Sequence, residues 1–150
     1  MSKHGEEWVE VMIGRRKLCG RLETNSAPIT CGIFRALLPA EKTLLHARWS
    51  GEAGWAPLQA EFSRVPPENV TRYPAPGQVL FYPGGVSEAE ILIPYGSCAF
   101  ASKAGALAGN HFLTLIEGVD SLATIGHELM HGGGQPIKFA LRGMRDAQST

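Results

Sequence analysis

The sequence has no net charge, since its 14 lysine and arginine residues balance 14 aspartate and glutamate residues. A neutral chain has no long-range attraction for nucleic-acid phosphates or for an anionic membrane. It also has no apolar run near the ~20 residues that a membrane helix needs. The amino terminus turns acidic at Glu6 and Glu7, where a secretion signal needs an apolar segment. We therefore expect a cytoplasmic protein with neither nucleic-acid nor membrane partners.

Cysteine is scarce, with only Cys19, Cys31 and Cys98, and no two of them form a CxxC pair. An odd number of widely spaced cysteines suits neither a disulfide framework nor a structural zinc site. We expect buried, reduced thiols that act as small apolar side chains. Internal repeats and low-complexity tracts are absent too, which excludes a solenoid.

The length of 150 residues suits one domain, 1–150, with a single core. Strict alternation of apolar and polar residues predicts half-buried strands in several places. Val9, Val11 and Ile13 begin an opening hairpin with the run from Leu18 to Leu22. Further runs are predicted at Thr43–Trp49, Leu58–Phe62, Gln78–Tyr82, Ile91–Ile93, after His111 and at Ile137–Leu141, with a turn at Gly51–Gly54 and a strand end at Pro94.

Two segments show helical spacing instead. A helix over about 26–38 begins where a capping side chain from Asn25 or Ser26 precedes Pro28. Its predicted apolar face comprises Ile29, Ile33, Phe34 and Leu37. A second helix, over about 120–131, ends at Gly132-Gly133-Gly134 and turns Leu122, Ile125 and Leu129 inward.

Seven or eight short strands and two helices, without a βαβ rhythm, predict a mostly β fold. An antiparallel sheet of this size hides its edges best by closing on itself. The expected architecture is a closed antiparallel β-barrel of about eight strands, with a helix capping each end.

Four segments match a family pattern in the same order along the chain: Ala27–Leu37, Phe62–Pro66, Gly96–Phe100 and Leu107–Phe112. In these segments the chain resembles the cyclophilins, and more closely the small bacterial cyclophilin-like proteins of uncharacterised function. The resemblance implies a cyclophilin-like barrel. It also makes Arg64, Phe100, Leu107 and His111 the counterparts of active-site positions, lining a groove on the barrel wall.

Two departures separate the chain from an active cyclophilin. The family's run lining the proline pocket is replaced by 68–73, and the family's tryptophan before the leucine is Ala106. The resemblance therefore favours a barrel that binds a small molecule or a proline-containing peptide in the groove. A peptidyl-prolyl isomerase with an eroded active site is the alternative, and whether the protein is an enzyme stays open.

A competing motif lies on the second helix, where His127 and His131 enclose Glu128 in an HExxH pattern typical of zinc proteases. Residues four apart share a helix face, so both imidazoles can reach one metal. The same face points away from Leu122 and Leu129, toward solvent, and no third ligand follows at a suitable spacing. We expect no cofactor and no resident metal, with His127 and His131 as weak metal candidates and a zinc metalloenzyme as a further alternative. A homo-oligomer is also compatible with the sequence.

Overall fold

The computed structural model describes residues 6–143, so most of the amino-terminal segment used for the cytoplasmic prediction lies outside this range. Strands account for 46% of residues 6–143, which confirms a mostly β fold. The strands are β1 Trp8–Ile13, β2 Arg16–Leu22, β3 Ala40–His46, β4 Gly51–Pro57, β5 Val70–Thr71, β6 Gln78–Tyr82, β7 Glu90–Cys98, β8 Ala101–Ser102, β9 Gly105–Ala106, β10 Gly109–Glu117 and β11 Gln135–Leu141. The helices are α1 Pro28–Leu37 and α2 Leu122–Gly132, the latter preceded by a 3-10 turn at Val119–Ser121.

Eight strands form the closed antiparallel barrel that the alternation predicts. They follow the order β2-β1-β11-β3-β4-β7-β6-β10, and pairing of β10 with β2 closes the ring. Strand β5 adds a short extension to β10, while β8 and β9 form a separate hairpin. Closure leaves no long open edge, which is how small all-β proteins avoid pairing with other chains.

The barrel interior holds the main core, and α1 supplies its central aromatic side chain. Phe34 is buried with its ring centroid 4.8 Å from that of Phe112 and 5.5 Å from that of Phe139. Ile33 and Leu37 pack against this core as predicted, whereas Ile29 is 49% exposed. The buried face of α1 is rotated toward Thr30 and Cys31, so the inward position assigned to Ile29 is wrong.

The start of α1 also differs from the prediction, because no side chain of the preceding segment caps it. A carboxylate from a distant loop takes this place: Glu68 accepts hydrogen bonds from the backbone N–H of Ile29 and Thr30, at 3.4 and 2.5 Å. Asn110 donates from Nδ2 to Thr30 Oγ1 at 3.0 Å and to the carbonyl of Pro66 at 2.9 Å. The loop thus caps the helix and is itself fixed to β10.

Helix α2 caps the barrel with Leu122, Ile125 and Leu129 buried, as its spacing predicts. Gly126, on the same face, packs against the ring of Tyr95. Tyr95 donates from its hydroxyl to Nε2 of His46, 2.6 Å away, because Nδ1 of His46 bonds the carbonyl of Ala47. Within 6–143, neither helix has the length and apolar character needed to cross a bilayer.

We expect Gly126→Ala to destabilise the protein by about 1–3 kcal/mol, the usual cost of overpacking a filled site. The added Cβ would overlap the Tyr95 ring, which the His46 hydrogen bond holds in place. Gly132→Ala is the matched control on the same helix, since nothing lies within 4 Å of its added Cβ. The control should leave the free energy of unfolding within about 1 kcal/mol of its original value. Urea denaturation of both variants measures the difference, and equal effects would contradict this packing.

Candidate functional site

The outer wall of the barrel carries a second apolar cluster, separate from the interior core. It comprises Ala53, Leu80, Tyr82, Leu92, Phe100 and Leu107. The segment from Ala99 to Leu107, which contains the β8–β9 hairpin, folds over this wall. Leu107 N–H donates to the carbonyl of Phe100 at 3.0 Å, and the rings of Phe100 and Tyr82 meet edge to face at 5.6 Å.

Two of the four predicted groove residues belong to this cluster. Phe100 is 0% exposed and Leu107 is 5% exposed, so both lie beneath the hairpin and do not line an open surface. The structure brings these two together in one cluster on the outer wall. Access to them is closed by their own segment.

The other two predicted residues are not members of this cluster, although His111 pairs across β10 and β6 with its member Leu80. His111 on β10 has Nε2 2.8 Å from Oγ1 of Thr114, which in turn donates to Glu23 at 2.5 Å. Burial lowers the pKa of His111, so the neutral imidazole is favoured and donates from Nε2–H to Thr114. Arg64 is exposed, and within 6–143 its guanidinium forms no ion pair. The side chain of His111 is therefore engaged in a hydrogen-bond chain that ends at Glu23, while the side chain of Arg64 is exposed.

Beside the apolar cluster lies an open cavity of about 250 Å³, which we term the Glu90 pocket. Segments distant in sequence build it: the β3–β4 turn together with Trp55 of β4, residues 87–90 at the start of β7, and the β8–β9 hairpin. Its lining includes two tryptophans, two carboxylates and two cations: Trp49, Trp55, Glu88, Glu90, Arg48 and Lys103.

Glu90 is the unusual side chain of this pocket. As the first residue of β7 it shares the outward face with Leu92, because Ile91 between them points into the barrel. Glu90 is only 7% exposed, and within the described chain no hydrogen bond or ion pair reaches its carboxyl group. Burial, together with the charge of Glu88, raises the pKa of Glu90 to about 8. At neutral pH the pocket therefore contains a mostly protonated, unpaired carboxylic acid.

Comparison with known protein families shows which family the chain belongs to. A family model described as "Protein of unknown function (DUF3830)" matches residues 13–141. The chain belongs to the DUF3830 family. Among curated protein sequences, none matches it.

Solved structures place this DUF3830 chain among cyclophilin-like barrels. McbB in complex with tryptophan is similar with a TM-score of 0.68 and 15% identity, over 88% of this chain and 44% of McbB, so the chain spans less than half of that protein. A hypothetical protein from Archaeoglobus fulgidus is similar over 93% of this chain and 98% of its own, with a TM-score of 0.60 and 17% identity. A cyclophilin-type peptidyl-prolyl cis-trans isomerase from Cryptosporidium parvum gives a TM-score of 0.56 and 16% identity over 91% and 98%. These likenesses confirm the cyclophilin-like fold.

The HExxH motif of the DUF3830 chain lies on the exposed face of α2, as its spacing predicts. The rings of His127 and His131 have centroids 4.4 Å apart beside a surface groove of about 1140 Å³. Glu128 is bound by Arg16, whose Nη2 lies 3.0 Å from Oε2, and this hydrogen bond lowers the pKa of Glu128. Across residues 6–143, no cluster of three or more potential ligands is placed to hold a metal. Two histidines and a carboxylate already paired with arginine do not make a catalytic zinc centre.

The three cysteines of the DUF3830 chain are free thiols in the structure, as expected. Burial raises the pKa of Cys31 to about 12 and that of Cys98 to about 11, and burial also raises the pKa of Cys19. The thiolate form that nucleophilic catalysis requires is thus disfavoured at all three positions.

Proposed function

We propose that this protein binds a small molecule in the Glu90 pocket, on the outer wall of the barrel. The observation that carries the proposal is the side chain of Glu90, which is 7% exposed and whose carboxyl group has no partner in the described chain and opens into the cavity. Buried polar groups nearly always have a hydrogen-bond partner in the protein or in the solvent, so this carboxyl group is available to a molecule that enters the cavity. A carboxyl group with a strongly perturbed pKa in a cleft is a typical feature of a binding or catalytic site.

The chemistry of the lining supports a ligand smaller than a typical drug. A cavity of about 250 Å³ lies just below the ~300–1,000 Å³ common for drug-sized ligands. Trp49 and Trp55 offer flat apolar surfaces, and Glu90 offers one polar anchor that fixes orientation. One structural neighbour, McbB, is described in complex with tryptophan, which is small and partly flat like the ligand proposed for this pocket.

The Glu90 pocket differs in position from the groove that the resemblance implies. Both lie on the outer wall, and the cluster holding Phe100 and Leu107 also contacts Trp55. The ligand site in this proposal is thus displaced from those two buried residues to the open cavity beside them. Prolyl isomerisation is less well supported, because it needs an open slot for the proline ring, whereas Phe100 and Leu107 are buried.

A fragment screen followed by the tryptophan indole N–H signals in two-dimensional NMR tests the proposal. We expect binders to shift the signals of Trp49 and Trp55 while the signal of Trp8, on β1, stays unchanged. Glu90→Gln should weaken these binders at least about tenfold, which corresponds to 1.4 kcal/mol. Glu61→Gln, which alters an exposed carboxylate outside the pocket lining, is the matched control. Binders that shift only signals elsewhere, or that bind both variants equally, would overturn the proposal.

A further inference from the structure

The charges of the Glu90 pocket are divided between its segments. Glu88 and Glu90 come from the residues leading into β7, whereas Arg48 comes from the β3–β4 turn and Lys103 from the tip of the hairpin. Glu88 adds to the rise in the pKa of Glu90, and neither cation offsets it. The two carboxylates and the two cations of the pocket therefore come from different segments of the chain.

The two cations are not engaged by the carboxylates of the protein. Among residues 6–143, the ion pairs involve other arginines and lysines, and neither Arg48 nor Lys103 takes part in one. Both acidic side chains of the pocket likewise lack an ion pair within this part of the chain. Arg48, Lys103 and Glu88 are exposed, so the pocket presents charged groups of both signs that no protein group in the described chain pairs.

Flat aromatic surfaces lie along the same cavity. Trp55 is partly buried against the apolar cluster, and Trp49 is 54% exposed at the mouth. Exposure of a tryptophan to this degree leaves an apolar face that a planar ligand can cover. An indole also attracts a cation placed over its ring.

We propose that the Glu90 pocket takes a small zwitterion with a flat body, its ammonium group at Glu88 and Glu90 and its carboxylate at Arg48 and Lys103. This inference rests on the proposed function and adds the class of ligand. A neutral apolar molecule would leave both sets of charges unpaired, and a simple anion or cation would satisfy one set only.

Such a ligand exchanges a proton with the solvent when it binds. The raised pKa keeps Glu90 protonated at pH 7, and an ammonium group beside it favours the carboxylate. The O–H bond of Glu90 then breaks, the electron pair stays on the carboxylate, and the proton passes to the buffer. The other titratable groups around Glu90 are Glu88, Arg48, Lys103 and Tyr82; the hydroxyl of Tyr82 already bonds the amides of Val86 and Ser87. Affinity should therefore rise as the pH is raised from 6 toward 8.

Calorimetry with 4-(aminomethyl)benzoate tests the inference, because a flat ring separates its ammonium and carboxylate groups. Benzylamine and benzoate, each carrying one half of the charge pattern, are the comparison ligands. We expect the zwitterion to bind at least about tenfold more tightly than either half. Titration at pH 7 in two buffers of different ionisation enthalpy should show release of about one proton per zwitterion bound.

Two variants test the contributions of the acidic and the basic groups of the pocket to binding separately. Glu90→Gln should abolish proton release and weaken both the zwitterion and benzylamine. Lys103→Met, at the exposed hairpin tip, should leave the fold intact and weaken the zwitterion and benzoate while benzylamine is unaffected. If screened fragments bind in the pocket but the zwitterion binds no better than benzylamine, or without proton release, the inference is overturned and the proposed function stands. If no fragment shifts Trp49 or Trp55, the proposed function fails as well.

Discussion

Glu90→Gln is expected to stabilise the protein at alkaline pH and to leave its stability nearly unchanged near pH 4. The protonated carboxyl group is favoured in the fold, since its pKa is raised from 4.5 to about 8. This stabilisation by the proton is fully present below pH 4.5 and is lost as the pH rises through 8. At 1.36 kcal/mol per unit of pKa, the loss in the unaltered protein amounts to roughly 5 kcal/mol. Glutamine carries no ionisable proton and avoids this loss.

Urea denaturation of both proteins at pH 5, 6, 7, 8 and 9 measures this effect. The difference in the free energy of unfolding between variant and unaltered protein should widen steadily as the pH rises. Other titrating groups are common to both proteins and cancel in the difference. Glu61→Gln should follow the unaltered protein at every pH. A difference that is independent of pH would show that Glu90 ionises normally in the fold.

Phe34→Ala is expected to destabilise the protein by about 3–5 kcal/mol, the range for removing a buried aromatic ring from a close-packed core. The phenyl ring of Phe34 is the largest buried side chain that α1 contributes to the barrel interior, with Phe112 and Phe139 against it. The loss should appear as a lower urea midpoint with an unchanged slope.

Ile29→Ala is the matched control on the same helix. Its side chain is exposed, so truncation should change the free energy of unfolding by no more than about 0.5 kcal/mol. Both residues lie on the apolar face that helical spacing predicts, and only packing distinguishes them. Comparable losses in the two variants would contradict the observed orientation of α1.

Local patterns in the sequence are sufficient to predict the barrel and its helices. In β1, the buried residues Val9, Val11 and Ile13 alternate with residues that are less buried, because one face of the strand is buried. This alternation is visible within a few consecutive residues, so the sequence alone predicts it. Helix α2 is predicted with its buried face for the same reason, since Leu122, Ile125 and Leu129 recur at helical spacing.

Where a long-range contact decides the local structure, the sequence prediction fails. The glycines of Gly51–Gly54 indicate a turn, but the segment belongs to β4, and Leu58–Phe62 is not a strand. Gly54 lies where β4 packs closely under Leu44 and Leu129, since an added Cβ would lie 3.1 Å from a side-chain atom of each. Pro94 likewise does not end its strand, since β7 continues to Cys98 and pairs with β4 across a bulge.

The site could be predicted from the sequence only in its general location. The resemblance directs attention to the outer wall through Phe100 and Leu107, yet it does not show that residues 99–107 bury them. The sequence gives only a weak indication that Glu90 is a site residue, which is that this carboxylate directly precedes the apolar run Ile91–Ile93. Glu90 lies beside residues that precede it by about 40 positions in the sequence. A pattern of neighbouring residues does not predict such a contact.

The proposed function depends on Glu90 being a neutral acid in an open pocket. Carbon-13 NMR of its side-chain carboxyl group, followed as the pH is raised from 4 to 10, measures this most directly, with Glu90→Gln identifying the signal. We predict a titration midpoint near pH 8 in the free protein. A midpoint near 4.5, the ordinary value for glutamate, would contradict the account of this site.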